Sequence, residues 1–427
     1  MKAWFKHVQP LALATAVAVV FGACDESLEG GTACPLLCPQ QQATIRDTTF
    51  IAVDVDTAIA GYPAFGTEVS LFLASFGDTL QTRGVARFDS LPTTFRHHNS
   101  TVDSNIVFVD TGAVVKLRIV TGDTIGPPTT IEVYDVDLGG ADDADPKAVV
   151  SAFTPDRLLG SRTVPADSLR DSVSVAIDPD KLLAKIQSEA PGNRLRVGLR
   201  VTSASGSAQM RVVTGNGQAP PLLIFRPSAD TSVSLDTLGA FSRTPAETFL
   251  AADYADYLVV ATAPPDPPSD VIRVGGLPGR RAYMRFNIPP QILDSSNIVR
   301  ATLLLTQRAN GFSPNASDSV AIAPFGVTAG PGITDLSRAL LFLFAPPGTD
   351  SVRLVAADGG VREFELIRLV KLWAATTATK TPRALSLRSS VEGISGRQID
   401  FYSLEAAPAL RPKLRITYLP RNTGGLR

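Results

Sequence analysis

Short runs of alternating apolar and polar residues recur along most of the chain. Val69-Ser-Leu-Phe-Leu, Val114-Val-Lys-Leu-Arg-Ile-Val, Thr130-Ile-Glu-Val-Tyr, Val173-Ser-Val-Ala-Ile and Leu195-Arg-Val-Gly-Leu-Arg-Val each put their apolar groups on one face with period two. That period is the mark of a half-buried strand. Clusters of Gly, Pro, Asp and Ser separate the runs, which predicts short strands linked by turns in a sandwich or barrel. Helical periodicity is confined to Pro179-Asp-Lys-Leu-Leu-Ala-Lys-Ile and to stretches at 336–344 and 366–374. The expected class is all-β.

The pattern occurs twice. Arg83-Gly-Val-Ala-Arg-Phe-Asp-Ser-Leu-Pro matches Arg281-Ala-Tyr-Met-Arg-Phe-Asn-Ile-Pro, with Phe88 and Phe286 in register 198 residues apart. Lys181-Leu-Leu-Ala-Lys-Ile matches Arg368-Leu-Val-Lys-Leu-Trp, Leu195 and Val197 match Leu385 and Leu387, and Pro221-Leu-Leu-Ile-Phe matches Pro412-Lys-Leu-Arg-Ile. The order is preserved, so the expectation is two tandem jelly-roll-like β-sandwich domains at 44–228 and 231–420, followed by a tail at 421–427. Each is long enough to bury its own core. Phe88, Phe286 and Trp373 are expected in those cores, whereas Arg87 and Arg285 alternate away from them, toward solvent.

The second copy resembles the DNRLRE domain family, β-sandwich modules of bacterial surface proteins related to carbohydrate-binding modules. The resemblance spans about 270–420 and rests on three ordered segments. These are Arg281-Ala-Tyr-Met-Arg-Phe-Asn followed by Ile298-Val-Arg-Ala-Thr-Leu-Leu-Leu, Phe364-Glu-Leu-Ile-Arg-Leu-Val-Lys-Leu-Trp, and Phe401-Tyr-Ser-Leu-Glu with the strand after Arg411. It implies a non-catalytic surface module, with polysaccharide as the ligand class and no catalytic residue to carry over. The alternative is a structural or adhesive protein that contacts other proteins.

The first residues read as an export signal, 1–23. Lys2 and Lys6 precede an 11-residue apolar run from Leu11 to Phe21, too short to span a bilayer. Phe21-Gly-Ala-Cys24 resembles the bacterial lipoprotein signal, in which the Cys thiol is acylated before cleavage on its amino side. Cys24 is therefore the expected lipid anchor to the cell envelope; the other reading is an ordinary secretory signal that happens to contain a Cys. Residues 24–43 form a polar tether. Its Cys34 and Cys38 would meet an oxidising compartment, where a small disulfide loop is the expected state.

Charge excludes one class of partner. Forty basic and 41 acidic residues leave a net charge of −1, with no clustered basic stripe for nucleic acid. Three Cys and three His leave little supply for zinc sites or Cys–His nucleophiles. Gly393-Ile-Ser-Gly lacks the spacing of a hydrolase elbow, and Gly215-Asn-Gly217 lacks the third glycine of a dinucleotide loop. His97-His98 sits in a polar stretch suited to a solvated loop. The candidate metal site is the acidic run Asp135, Asp137, Asp142, Asp143 and Asp145 around Gly139-Gly140. Closely spaced carboxylates can supply several calcium oxygens, and a solvated acidic loop is the competing reading. Tyr62, Tyr254 and Tyr257 lie in turn-like contexts, as the exposed rings a sugar face would use.

Overall fold

Alternation becomes strands wherever one face of the run is buried. In β3 (Ser70–Phe76) and β4 (Leu80–Phe88), Leu71, Leu73, Ala86 and Phe88 join one core with Val115 and Leu117 of β7 (Val114–Arg118). The computed structural model describes residues 45–51, 55–63, 66–120, 128–139, 145–165, 171–188, 193–243, 255–310, 319–327, 343–344, 350–375 and 383–421. Residues 46–427 form one compact unit. Cys24, Cys34 and Cys38 lie outside the described residues, as do Asp142, Asp143 and Tyr254.

An N-terminal arm carries β1 (Arg46–Ile51) and β2 (Val55–Tyr62). After β3 and β4 come β5 (Thr94–Arg96), β6 (Asp103–Asn105), β7 and β8 (Thr129–Asp135). Then follow β9 (Leu158–Val164), β10 (Ser172–Ala176), helix α1 (Pro179–Ile186), β11 (Leu195–Ser203), β12 (Ser207–Val213) and β13 (Leu222–Phe225). Two more strands, β14 (Asp236–Gly239) and β15 (Asp256–Thr262), precede the second half. It runs β16 (Val271–Gly275), β17 (Gly279–Arg285), helix α2 (Pro290–Asp294), β18 (Ser296–Arg308), β19 (Ser319–Val327), β20 (Leu343–Phe344), β21 (Val352–Val355) and β22 (Gly360–Glu365). Helix α3 (Ile367–Ala375), β23 (Ala384–Ser389), β24 (Gln398–Tyr402) and β25 (Lys413–Pro420) complete it. The helical periodicity at 179–186 and 366–374 is realised in α1 and α3. Of the third stretch, 336–344, only β20 is described, and it is extended.

Two bodies of the same topology result. In the first, the layer β14-β13-β7-β10 faces the layer β15-β4-β11-β8-β9, with β12-β3 bridged to the end of β7 at Ile119 and Val212. In the second, β1-β25-β18-β22 faces β2-β17-β23-β19-β21, with β24-β16 joined to the end of β18. β3 and β4 pair only at Ser75–Gln81 and Phe76–Leu80, and β16 and β17 only at Gly275–Arg280. Each hairpin thus opens and sends its strands into different layers, which closes a sandwich. Each body has its own apolar core, and the short helix lies in it: Leu182 and Ile186 in one, Leu369, Val370 and Trp373 in the other. Phe88, Phe286 and Trp373 are buried as expected.

The expected domain boundaries need correction. β15 belongs to the second sequence copy but pairs with β4 of the first, Asp256 opposite Ala86. β2 belongs to the first copy but pairs with β17 of the second, Asp56 opposite Met284. Ala86 and Met284 lie 198 apart, and Asp56 and Asp256 lie 200 apart, so the exchange is reciprocal. β14 on β13 and β1 on β25 repeat it in the other layer. The equivalence of the two strands shows in the sequence as Phe50-Ile-Ala-Val-Asp and Phe249-Leu-Ala-Ala-Asp, which precede β2 and β15. The first body is therefore the continuous segment from β3 to β15, and the second combines the N-terminal arm with β16 to β25. Homology marks equivalent strands but does not say whose edge each one covers; either strand carries the alternation that either edge accepts.

Arg87 also departs from expectation. It points away from the core as the alternation requires, yet it is about 1% exposed. The outer face of β4 is covered by Tyr257, over whose ring the guanidinium sits at 5.3 Å, and by Ser242, whose hydroxyl is 3.2 Å away. Arg285 is half-buried.

Candidate functional site

The bodies meet where Leu277, in the β16–β17 turn, packs with Phe72, Ala74 and Leu80 of the first body. Beside that contact lies a cleft of about 510 Å³. β2 gives it Ala60, Gly61 and Tyr62, followed by Pro63; β15 gives Leu258, Val259 and Val260, followed by Ala263; the turn gives Leu277 and Pro278. Gly393 closes one side, and Asp145 and Lys147 stand at another. The two strands contributed by the exchange, β2 and β15, thus supply much of the wall.

The arm is held there tightly. A Cβ on Gly393 would lie 1.9 Å from Pro63 Cδ, so only glycine allows that approach, and its φ of +73° also favours glycine. Arg281 of β17 stacks over the Tyr62 ring at 3.7 Å and donates two hydrogen bonds to Glu392, at 2.9 and 2.7 Å. Both side chains of this ion pair are about 95% buried (6% and 5% exposed). Burial lowers the Arg281 pKa, but hydrogen bonding and the charge of Glu392 outweigh it, and the net shift is upward. The Tyr62 and Tyr283 hydroxyls share a hydrogen bond of 2.6 Å. Burial, then that bond, raises the Tyr62 pKa.

Glu68 forms the polar floor of the cleft. It precedes β3, where the Thr214 hydroxyl donates to its carbonyl at 2.5 Å and the Asn216 amide donates to the Gly66 carbonyl at 2.7 Å. Its side chain is buried, and Oε2 has no hydrogen-bond partner. Burial pushes its pKa up to about 8; nearby Asp256 adds to this, and backbone hydrogen bonds oppose it. At neutral pH the group is an uncharged carboxyl, a donor set among apolar walls.

The described carboxylates of the acidic run, Asp135, Asp137 and Asp145, are each held by the protein's own groups. Asp135 is 2.8 Å from Lys185 Nζ. Arg194 donates to both oxygens of Asp137, at 2.7 and 3.2 Å, and Lys185 stands 3.6 Å away. Burial raises the Asp137 pKa, but Arg194, the Gly139 N–H and Lys185 outweigh it, so the carboxyl is held below its usual range. The self-repulsion that a cation would relieve is thus already relieved at these two residues by the protein's own cations. Asp145 accepts from the Lys147 N–H and caps the 3₁₀ turn that follows. Beside Asp135 lies a second recess of about 330 Å³, with Arg157, Lys181 and Lys185 on its walls. Among the described residues, no group of three or more His, Cys, Asp or Glu side chains is placed to hold a metal.

Tyr62 and Tyr257 are 2% and 0% exposed, so these two of the three rings expected for a sugar face are inside the protein. His97 contacts the Phe95 ring and lies 3.9 Å from Asp230, with His98 exposed, as in a solvated loop. Sequence reasoning missed Glu68, which looks like any acid before a strand; its burial comes from β15 and the 214–217 loop, far away in the chain.

No family model and no curated protein matches the chain. Among solved structures it shows 12% identity to a protein of infectious bursal disease virus Gx strain, covering 89% of this chain and 77% of that one, with a TM-score of 0.16. The CBM22-1-CBM22-2 tandem domain of Paenibacillus barcinonensis Xyn10C shows 8% identity, 85% and 97% coverage and a TM-score of 0.13. Scores this low carry no argument about fold or function. No described helix is long and apolar enough to cross a membrane.

Proposed function

We propose that this chain is a non-catalytic, lipid-anchored protein of the bacterial envelope, whose paired β-sandwich bodies bind polysaccharide. The observation that carries the reading is the cleft: a largely apolar recess with one polar floor group, walled by the strands that lock the bodies together. Such recesses suit ligand binding. The lipoprotein-type signal before Cys24 and the DNRLRE resemblance of 270–420 support the envelope setting. Because Tyr62, Tyr257 and Trp373 are buried, the sugar is gripped by a side or end group in the recess rather than laid across a row of rings.

A glycan array with residues 44–427 tests this, alongside Ala263→Trp, which fills the cleft from an exposed position. The reading expects binding by the natural sequence and its loss in the variant. Absence of any bound glycan overturns it. For the anchor, Cys24→Ala should shift the protein from the membrane to the soluble envelope fraction or leave uncleaved precursor; unchanged processing and membrane retention contradict the lipid. One observation favours the protein-contacting alternative: Val102, Val107 and Phe108, on either side of β6, are 71%, 72% and 40% exposed.

A further inference from the structure

We propose that Glu68 is the hydrogen-bond donor with which the cleft recognises an uncharged carbonyl group on a small apolar body, of which an acetamido group is the simplest form. This rests on the cleft being the ligand site. Three observations converge on it. The walls offered by Ala60, Leu258, Val260, Ala263, Leu277 and Pro278 are apolar and suit a methyl or ring carbon. Glu68 is 6% exposed and its Oε2 has no partner, an arrangement that costs stability until an acceptor arrives. The like charge of Asp256 acts on it; that side chain is 2% exposed and accepts from the Gly215 N–H at 2.7 Å.

Those surroundings set the proton. Asp256 on β15 acts on Glu68, and Tyr62 on β2, Asp145 and Lys147 line the same cleft. Among these, Asp256 disfavours ionisation, and burial disfavours it more. A protonated carboxyl donates one O–H and accepts weakly, so its best complement is a carbonyl oxygen. An ammonium ligand would first have to drive the proton off. Within a polysaccharide, the matching chemistry is the N-acetyl group of an amino sugar, its methyl against the apolar wall and its carbonyl on Glu68.

The probes are N-cyclohexylacetamide, cyclohexylamine and tri-N-acetylchitotriose, titrated into residues 44–427 by calorimetry or ligand-observed NMR. The acetamide should bind, and its affinity should fall about tenfold between pH 7 and pH 9 as the donor ionises around pH 8. Glu68→Gln keeps a donor and should retain binding without the pH dependence, whereas Glu68→Leu should abolish it. A pH-independent affinity, equal or better binding of the amine, indifference to Glu68→Leu, or no acetamide binding each overturns the inference. If the chitotriose binds with the same pH and Glu68 dependence, the inference is supported and the sugar is its source. If the acetamide binds through Glu68 and no glycan does, the inference stands while the polysaccharide reading falls.

Discussion

Removing one member of the Arg281–Glu392 pair should destabilise the protein far more than removing both. Each side chain is about 95% buried, and the guanidinium makes two hydrogen bonds to the carboxylate while stacking on Tyr62. Glu392→Leu leaves that guanidinium uncompensated, and breaking a buried pair this way costs roughly 3–5 kcal/mol. Arg281→Met/Glu392→Leu replaces the pair with apolar volume, which is often close to neutral in itself. Two losses remain in the double variant. The cation–π contact contributes ~0.5–2 kcal/mol, and Arg388, 3.1 Å from Glu392, loses its partner but is already partly solvated. The double variant should therefore cost only about 1–2 kcal/mol, roughly 2–3 kcal/mol less than Glu392→Leu alone, so the two single costs sum to well above the double's in a double-mutant cycle. Urea unfolding followed by circular dichroism reads it as a shift of midpoint at constant slope. A cost below about 1 kcal/mol for Glu392→Leu, or simple additivity of the single variants, would refute the reasoning.

Glu68 should make stability fall as pH rises. The unfolded carboxyl titrates near its ordinary value and the folded one near 8, so between these the folded state holds the extra proton. Stability then declines by ~1.4 kcal/mol per pH unit across that window and is level above it. Glu68→Gln should remove this slope in urea midpoints taken from pH 5 to pH 9; parallel profiles count against it. Asp137 has the opposite sign: its pKa is lowered, so its contribution is full above the unfolded value and is lost as pH falls through the folded one. Asp137→Asn should cost roughly 3 kcal/mol at pH 7 and shrink the loss of stability below pH 4, measured in the same way.

Much of each core was legible because burial there follows period two. Phe88 and Phe286, Ile186 and Trp373, and Leu223 with Leu414 occupy equivalent buried places, as the repeat implies. The duplication was legible for the same reason. Which edge each arm closes was not, because β2 and β15 are equivalent strands and only the three-dimensional path of the chain assigns them. Arg87 shows the limit of alternation: it names the face, whereas exposure depends on what Tyr257 and Ser242 do to that face. Asp137 shows the limit of charge counting, since its partner Arg194 lies 57 residues away. Glu68 carries no local signal at all, because its neighbour Asp256 and the apolar cover come from a distant strand.

Hydrogen exchange on the soluble chain with and without the arm addresses the reciprocal pairing most directly. The proteins are residues 44–427 and 63–427, read by mass spectrometry peptide by peptide. The account predicts that removing β1 and β2 strips protection from their partners β17, at 279–285, and β25, at 413–418. Strand β4, at 80–88, should stay protected because β15 and β11 still flank it. Loss of protection at 80–88 with 279–285 unchanged would mean that the arm closes its own copy, and would contradict the exchange.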